Sequence, residues 1–157
     1  MKKKTSRLKA GLSLALATLV LNGTANAVVI NEIMQNPSAV ADSAGEWFEL
    51  FNPTGSAIDI DGWTIKDNDI DSHVINNGGS LIVPAGGYLI LGRNGDSSAN
   101  GGVLVDYVYG SSFALANGAD ELILVEDMFS LIIDSVEWDG GPNFPDPNGA
   151  SMALIDP

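Results

Sequence analysis

Ile58-Asp59-Ile60-Asp61-Gly62-Trp63-Thr64-Ile65 alternates apolar and polar residues on both sides of a glycine, and the alternation changes phase there. The apolar positions are even before Gly62 and odd after it. Period-two alternation marks a half-buried strand, because successive side chains of extended backbone point to opposite faces. A one-residue bulge at Gly62 keeps both halves facing one core, so the stretch predicts a bulged strand over 58–65 with Gly62 as a structural residue.

Working outward, runs of the same kind recur at Val28–Met34, Glu46–Phe51, His73–Ile75, Leu81–Val83, Tyr88–Leu91, Val103–Tyr109, Glu121–Val125, Leu131–Trp138 and Ser151–Ile155. Clusters of Gly, Asn, Asp and Pro separate them, and no segment after residue 27 sustains a 3.6-residue apolar period for a helix of ordinary length. About eight to ten short strands at this spacing predict an all-β sandwich of two antiparallel sheets sharing one core. Pro84-Ala85-Gly86-Gly87 predicts a tight turn between two of them, with a glycine at positive φ. Trp47, Trp63 and Trp138 lie on strand patterns and are expected to be core rings.

Residues 1–27 stand apart from this pattern. Lys2, Lys3, Lys4, Arg7 and Lys9 form a basic head, Leu12–Leu21 an apolar middle, and Ala25-Asn26-Ala27 a small-x-small cleavage pattern. The segment is expected to be a secretory signal peptide; a middle of ten residues is too short for a membrane anchor, which needs about 20. The domain is then 28–157, exported to the periplasm, the cell surface or the medium. Those residues keep two cations, Lys66 and Arg93, against all 20 Asp and Glu of the chain, a formal charge of −18. Direct nucleic-acid binding is excluded on that balance, because a phosphate footprint needs several Lys or Arg. A chain of 157 residues with no cysteine and one histidine also excludes disulfide frameworks, thiolate zinc sites, cysteine nucleophiles and two-histidine metal sites.

Seven segments in order resemble the lamin tail domain family: Asn31-Glu32-Ile33, Glu46-Trp47-Phe48-Glu49-Leu50-Phe51-Asn52, Ile60–Ile65, Pro84–Leu91, Gly118–Leu124, Ile133–Trp138 and Gly149-Ala150-Ser151-Met152. The resemblance spans nearly all of 28–157. It implies an immunoglobulin-like β-sandwich acting as a binding or anchoring module, of the kind carried by secreted bacterial proteins beside nuclease or phosphatase domains. Family members continue past the Gly-Ala-Ser-Met segment to an Asn-Trp pair, whereas this sequence stops at Pro157. That departure opens the alternative of an accessory fragment of a larger exported hydrolase.

Three groups of polar residues invite chemistry. Glu32, Glu49 and Asp134 share strand parity with apolar neighbours and are expected to face inward, where each needs a partner; the simplest role is to pin loops by hydrogen bonds. Asp67, Asp69 and Asp71 occupy the first, third and fifth positions of an acidic loop, the alternation of oxygen ligands that suits Ca2+. Ser72 stands where an EF-hand needs glycine and Gly78 where it needs a bidentate Glu, so only a looser Ca2+ site, or an ordinary solvated turn, is consistent with the loop. His73 follows Ser72, but neighbours on a strand face opposite ways and cannot share a proton. Pro142, Pro145 and Pro147 around Phe144 form a stiff loop suited to covering one end of the sandwich or to contact. The expectation is a non-enzymatic module with a protein or cell-envelope partner; a Ca2+-stabilised envelope domain is the structural alternative.

Overall fold

The computed structural model describes residues 28–141 and 148–154. The signal-peptide segment and the proline loop around Phe144, apart from Asn148, lie outside the described residues. In chain order the elements are β1 (Val29–Met34), a one-turn helix α1 (Asp42–Gly45), β2 (Trp47–Phe51), β3 (Ile58–Asp59), β4 (Thr64–Lys66), β5 (Ser72–Val74), β6 (Ile82–Val83), β7 (Tyr88–Gly92), β8 (Tyr107–Val108), β9 (Ala119–Glu126), β10 (Leu131–Asp139) and β11 (Met152–Ala153).

The strands form a five-stranded sheet in the order β11-β1-β2-β7-β8, a four-stranded sheet in the order β10-β9-β4-β5, and a small β3-β6 pair. Their shared core includes Phe48, Leu50, Leu91, Ile65, Leu122, Leu124 and Trp138, all essentially inaccessible to water. Burying each such side chain contributes about 1.5–3 kcal/mol before the entropy of ordering it is subtracted. The all-β, immunoglobulin-like fold agrees with the sequence expectation.

Three details differ from it. The stretch 58–65 is not one bulged strand: β3 and β4 belong to different sheets, joined by a turn in which Trp63 N–H donates to the Ile60 carbonyl (3.1 Å) and Gly62 takes φ +86°. The phase change does bury both Ile60 and Ile65, but a left-handed glycine turns the chain where a bulge would only have bent it. The second detail is that β8 runs parallel to β7, pairing Tyr107 with Leu91 and Val108 with Gly92, so the five-stranded sheet is not purely antiparallel. Gly92 permits the close approach here: a Cβ on it would sit 2.6 Å from Val105 Cγ2. Third, the tryptophans divide, Trp138 being fully buried while Trp63 packs half-buried against the core and Trp47 is half-buried on β2.

Real bulges occur elsewhere. The β1–β2 register slips by one residue between Ile30 and Glu32, and the β10–β9 register slips between Ile132 and Asp134. The two irregularities meet, because Ile30 N–H donates to Asp134 Oδ2 at 2.8 Å across the sandwich. Asn52, also buried, staples the end of β2: its Nδ2 donates to the Ser56 and Val83 carbonyls, and its Oδ1 accepts from Thr54 N–H and from the Thr54 hydroxyl. The Pro84–Gly87 turn has the expected form, with Gly87 N–H donating to the Pro84 carbonyl and Gly86 at φ +63°.

Replacing Gly62 with alanine forces a Cβ into the left-handed region and is expected to lower stability by about 1–2 kcal/mol in urea denaturation. Gly79→Ala is the control. Gly79 has no positive φ and open space around it, so its loss is expected to be neutral or slightly stabilising.

Candidate interaction surfaces

The polar groups inside the fold converge on Glu46, which immediately precedes β2 and is only 3% exposed. Arg93 Nη1 donates to both of its carboxylate oxygens at 3.0 Å, and Leu115 N–H donates to Oε2 at 3.2 Å. The Glu46 carbonyl accepts from Arg93 N–H (3.0 Å) and from the Tyr109 hydroxyl (3.4 Å). Burial nonetheless pushes the Glu46 carboxyl above its ordinary value, against the pull of Leu115 N–H and Arg93. Burial, and after it the Glu46 charge, likewise raises the Tyr109 phenol. The Tyr109 ring lies 5.8 Å from Phe48 and 5.9 Å edge-on to Phe113. This is a structural hub with its hydrogen-bonding capacity filled, not a ligand site. The sequence reading did not single out Glu46; its place in line with Phe48 and Leu50 was the available signal.

The three carboxylates expected to face inward divide. In β2 the inward residues are Phe48 and Leu50, so Glu49 stands half-buried on the opposite face with Trp47 and Phe51. The β1 bulge passes the buried face from Ile30 to Ile33, which takes Glu32 off it and leaves Glu32 half-buried. Only Asp134 keeps the expected face, with Val136 and Trp138. All three are tied as the simpler role required: Asn31 Nδ2 donates to Glu49 Oε1 (2.7 Å), the Ser151 hydroxyl to Glu32, and Ile30 and Ser135 N–H to Asp134. Glu32 and Glu49 are cross-strand partners, and these two neutral donors offset the repulsion of like charges placed opposite one another.

The acidic loop between β4 and β5 places Asp67, Asp69 and Asp71 together. Asp67 Oδ1 already accepts from Asp69 N–H (2.9 Å) and Asp71 N–H (3.0 Å), the side-chain capping by which an Asp shapes its own turn. Glu121 accepts from Asn68 N–H, and Asp120, its carboxyl raised by burial, accepts from Ala116 N–H at 2.6 Å. Among the described residues no group of three or more His, Asp or Glu is arranged to hold a metal ion.

His73 meets a serine, but not its neighbour in sequence. Its Nδ1 lies 2.6 Å from Ser112 Oγ and its Nε2 2.7 Å from the Tyr107 hydroxyl. Proton directions follow by elimination. The Ser112 hydroxyl donates to the Tyr109 carbonyl (2.8 Å), which only accepts, so the Ser112 oxygen takes its bond from His73 Nδ1–H. Neutral His73 then accepts at Nε2 from Tyr107, whose oxygen accepts from Asn76 N–H (2.9 Å). The serine proton points away from the ring, which leaves a clasp between β5 and the 107–112 segment rather than an activated nucleophile.

Four exposed large apolar side chains crowd the β9–β10 hairpin: Met128 is 80% exposed, Phe129 75%, Leu131 55% and Ile132 58%. Below them a cleft is lined by Asp59, Asp61, Gly62, Trp63, Glu126, Asp127 and Met128. The Thr64 hydroxyl donates to Asp127 Oδ1 (2.8 Å) and fixes the hairpin against the Gly62 turn.

The family model of the lamin tail domain matches residues 22–140. The chain belongs to the lamin tail domain family. This is a family of non-catalytic, immunoglobulin-like interaction and structural modules. No curated protein matches the chain. No helix among the described residues of this lamin tail domain is long and apolar enough to cross a membrane.

Glu46→Ala strips Arg93 and Leu115 N–H of their acceptor and is expected to cost about 3–5 kcal/mol in urea denaturation, whereas Glu46→Gln, which keeps an oxygen for Leu115, costs less. His73 gives a pH signature. Burial lowers its folded-state pKa below 6.5, so folding favours the neutral ring; that contribution is complete above pH 6.5 and is lost as the pH falls through the lowered value. The stability difference between wild type and His73→Gln is therefore expected to shrink as the pH falls below about 6.5, measured by thermal melts of both proteins.

Proposed function

We propose that the protein is exported and acts outside the cytoplasm as a non-enzymatic lamin tail module that anchors or bridges a protein or cell-envelope partner. The observation that carries this reading is the commitment of its chemically capable side chains. Glu32, Glu46, Glu49, Asp134, His73 and Ser112 are all hydrogen-bonded to backbone or to other side chains of the fold. What remains exposed is apolar and acidic surface on loops and strand ends, which is where a rigid sandwich carries recognition. Family membership supports the interaction role. The basic head, apolar middle and Ala25-Asn26-Ala27 support export, with Val28 as the first mature residue.

The test is direct assay of the purified protein against aryl esters, aryl phosphates and single- and double-stranded DNA. No turnover above buffer is expected. Turnover abolished by Ser112→Ala or His73→Ala would establish an enzyme and overturn the proposal.

A further inference from the structure

Four of the exposed large apolar side chains fall within five consecutive positions, Met128–Ile132, at the turn and first residues of β10. An apolar cluster held out on a hairpin tip loses hydration free energy for as long as it stays uncovered, and such patches mark contact sites. Its setting identifies what covers it. β10 is an edge strand of its sheet. From the bulge onward that edge is guarded, because Asp134 caps Ser135 N–H and reaches across to Ile30 N–H. Before the bulge, Leu131 and Ile132 pair with β9 alone among the described strands, so backbone pairing there is open to a short extended segment.

Charge then selects the occupant. The cleft beneath the tip has an open volume of about 370 Å³ and carries four carboxylates, those of Asp59, Asp61, Glu126 and Asp127, beside the Trp63 ring and the Met128 thioether. No Lys or Arg lines it, and Arg93 is committed to Glu46. A second copy of this chain would bring another −13 to the contact, and an anionic membrane surface would be repelled in the same way. Asp59, Asp61 and Asp127 each accept through Oδ1 from a neighbouring amide or hydroxyl and keep their charge, so a cationic side chain entering the cleft would meet the field of four carboxylates and an aromatic wall, while apolar neighbours on the same segment cover Phe129 and Ile132.

We propose that the β9–β10 hairpin and the cleft under it dock an extended segment of a partner protein in which Lys or Arg alternates with apolar residues. This rests on the reading of the chain as an interaction module and names the partner's chemistry. The test is titration of the purified full chain with a synthetic peptide alternating arginine and valine, followed by amide chemical shifts and calorimetry. Shifts confined to residues 59–64 and 126–132 are expected. Affinity is expected to fall with added salt, and by tenfold or more in each of two variants, Glu126→Gln/Asp127→Asn and Phe129→Ser; these replace exposed or cleft-lining groups outside the core.

Equal affinity in both variants, or shifts spread over the Asp67–Asp71 loop as well, would overturn the site. Binding of a glutamate–valine peptide as tight as that of the arginine peptide would also overturn it. So would a dimer in sedimentation that Phe129→Ser dissolves, or Phe129-dependent binding to phosphatidylcholine vesicles without peptide binding. None of these results depends on the turnover assays, so the docking site can fail while the non-enzymatic module stands.

Discussion

A carboxylate taken out of water must be given partners, and the pairing of Glu46 with Arg93 is the constraint around which this sandwich closes. Glu46 stands at the entrance to β2, Arg93 just beyond β7, and Leu115 in a segment with no regular secondary structure, so one side chain joins three parts of the chain distant in sequence. Without that carboxylate, the 109–115 segment would lose the bond that seats Phe113 and Leu115 in the core, and the guanidinium would be left half-enclosed without its counter-ion. Burial raises the carboxyl even with these partners present, a measure of how strongly the apolar surroundings disfavour charge.

The same economy governs Asn52, Asp134 and His73. Asn52 satisfies the corner after β2, Asp134 bridges the two bulges, and the chain His73–Ser112–Tyr109 clasps β5 to the loop after β8. Groups that in another protein would bind a metal or activate water here carry loops. A lamin tail domain built in this way is rigid inside and acidic outside, so recognition falls to its periphery, where the β9–β10 hairpin concentrates exposed apolar surface above a cleft of carboxylates.

Strand positions were legible because alternation and turn residues are local signals, and the motif order made the lamin tail fold recognisable. Which way each strand faced was less legible. In Trp47-Phe48-Glu49-Leu50-Phe51 four of five residues are apolar, so either face would pass as the buried one, and the opposing sheet selected Phe48 and Leu50. The slips around Asn31 and Ile133 carry no glycine or proline to announce them, and they set the faces of Glu32 and Asp134. Gly62 did announce an irregularity, but a phase change serves a bulge and a turn equally well. Asp67, Asp69 and Asp71 were legible as neighbours; the capping of Asp67 by its own loop amides was not.

Composition, charge and periodicity by themselves determined an acidic all-β chain without the residues for a disulfide or a thiolate site, because those properties depend only on which side chains are present and how they alternate. Tertiary structure alone decided that Glu46 is the buried anion, that His73 meets Ser112 rather than Ser72, that β8 runs parallel to β7, and that Met128 lines one cleft with Asp59 and Asp61. Each of these joins residues far apart along the chain, and such a contact forms only when the backbone between them has been folded to bring them together.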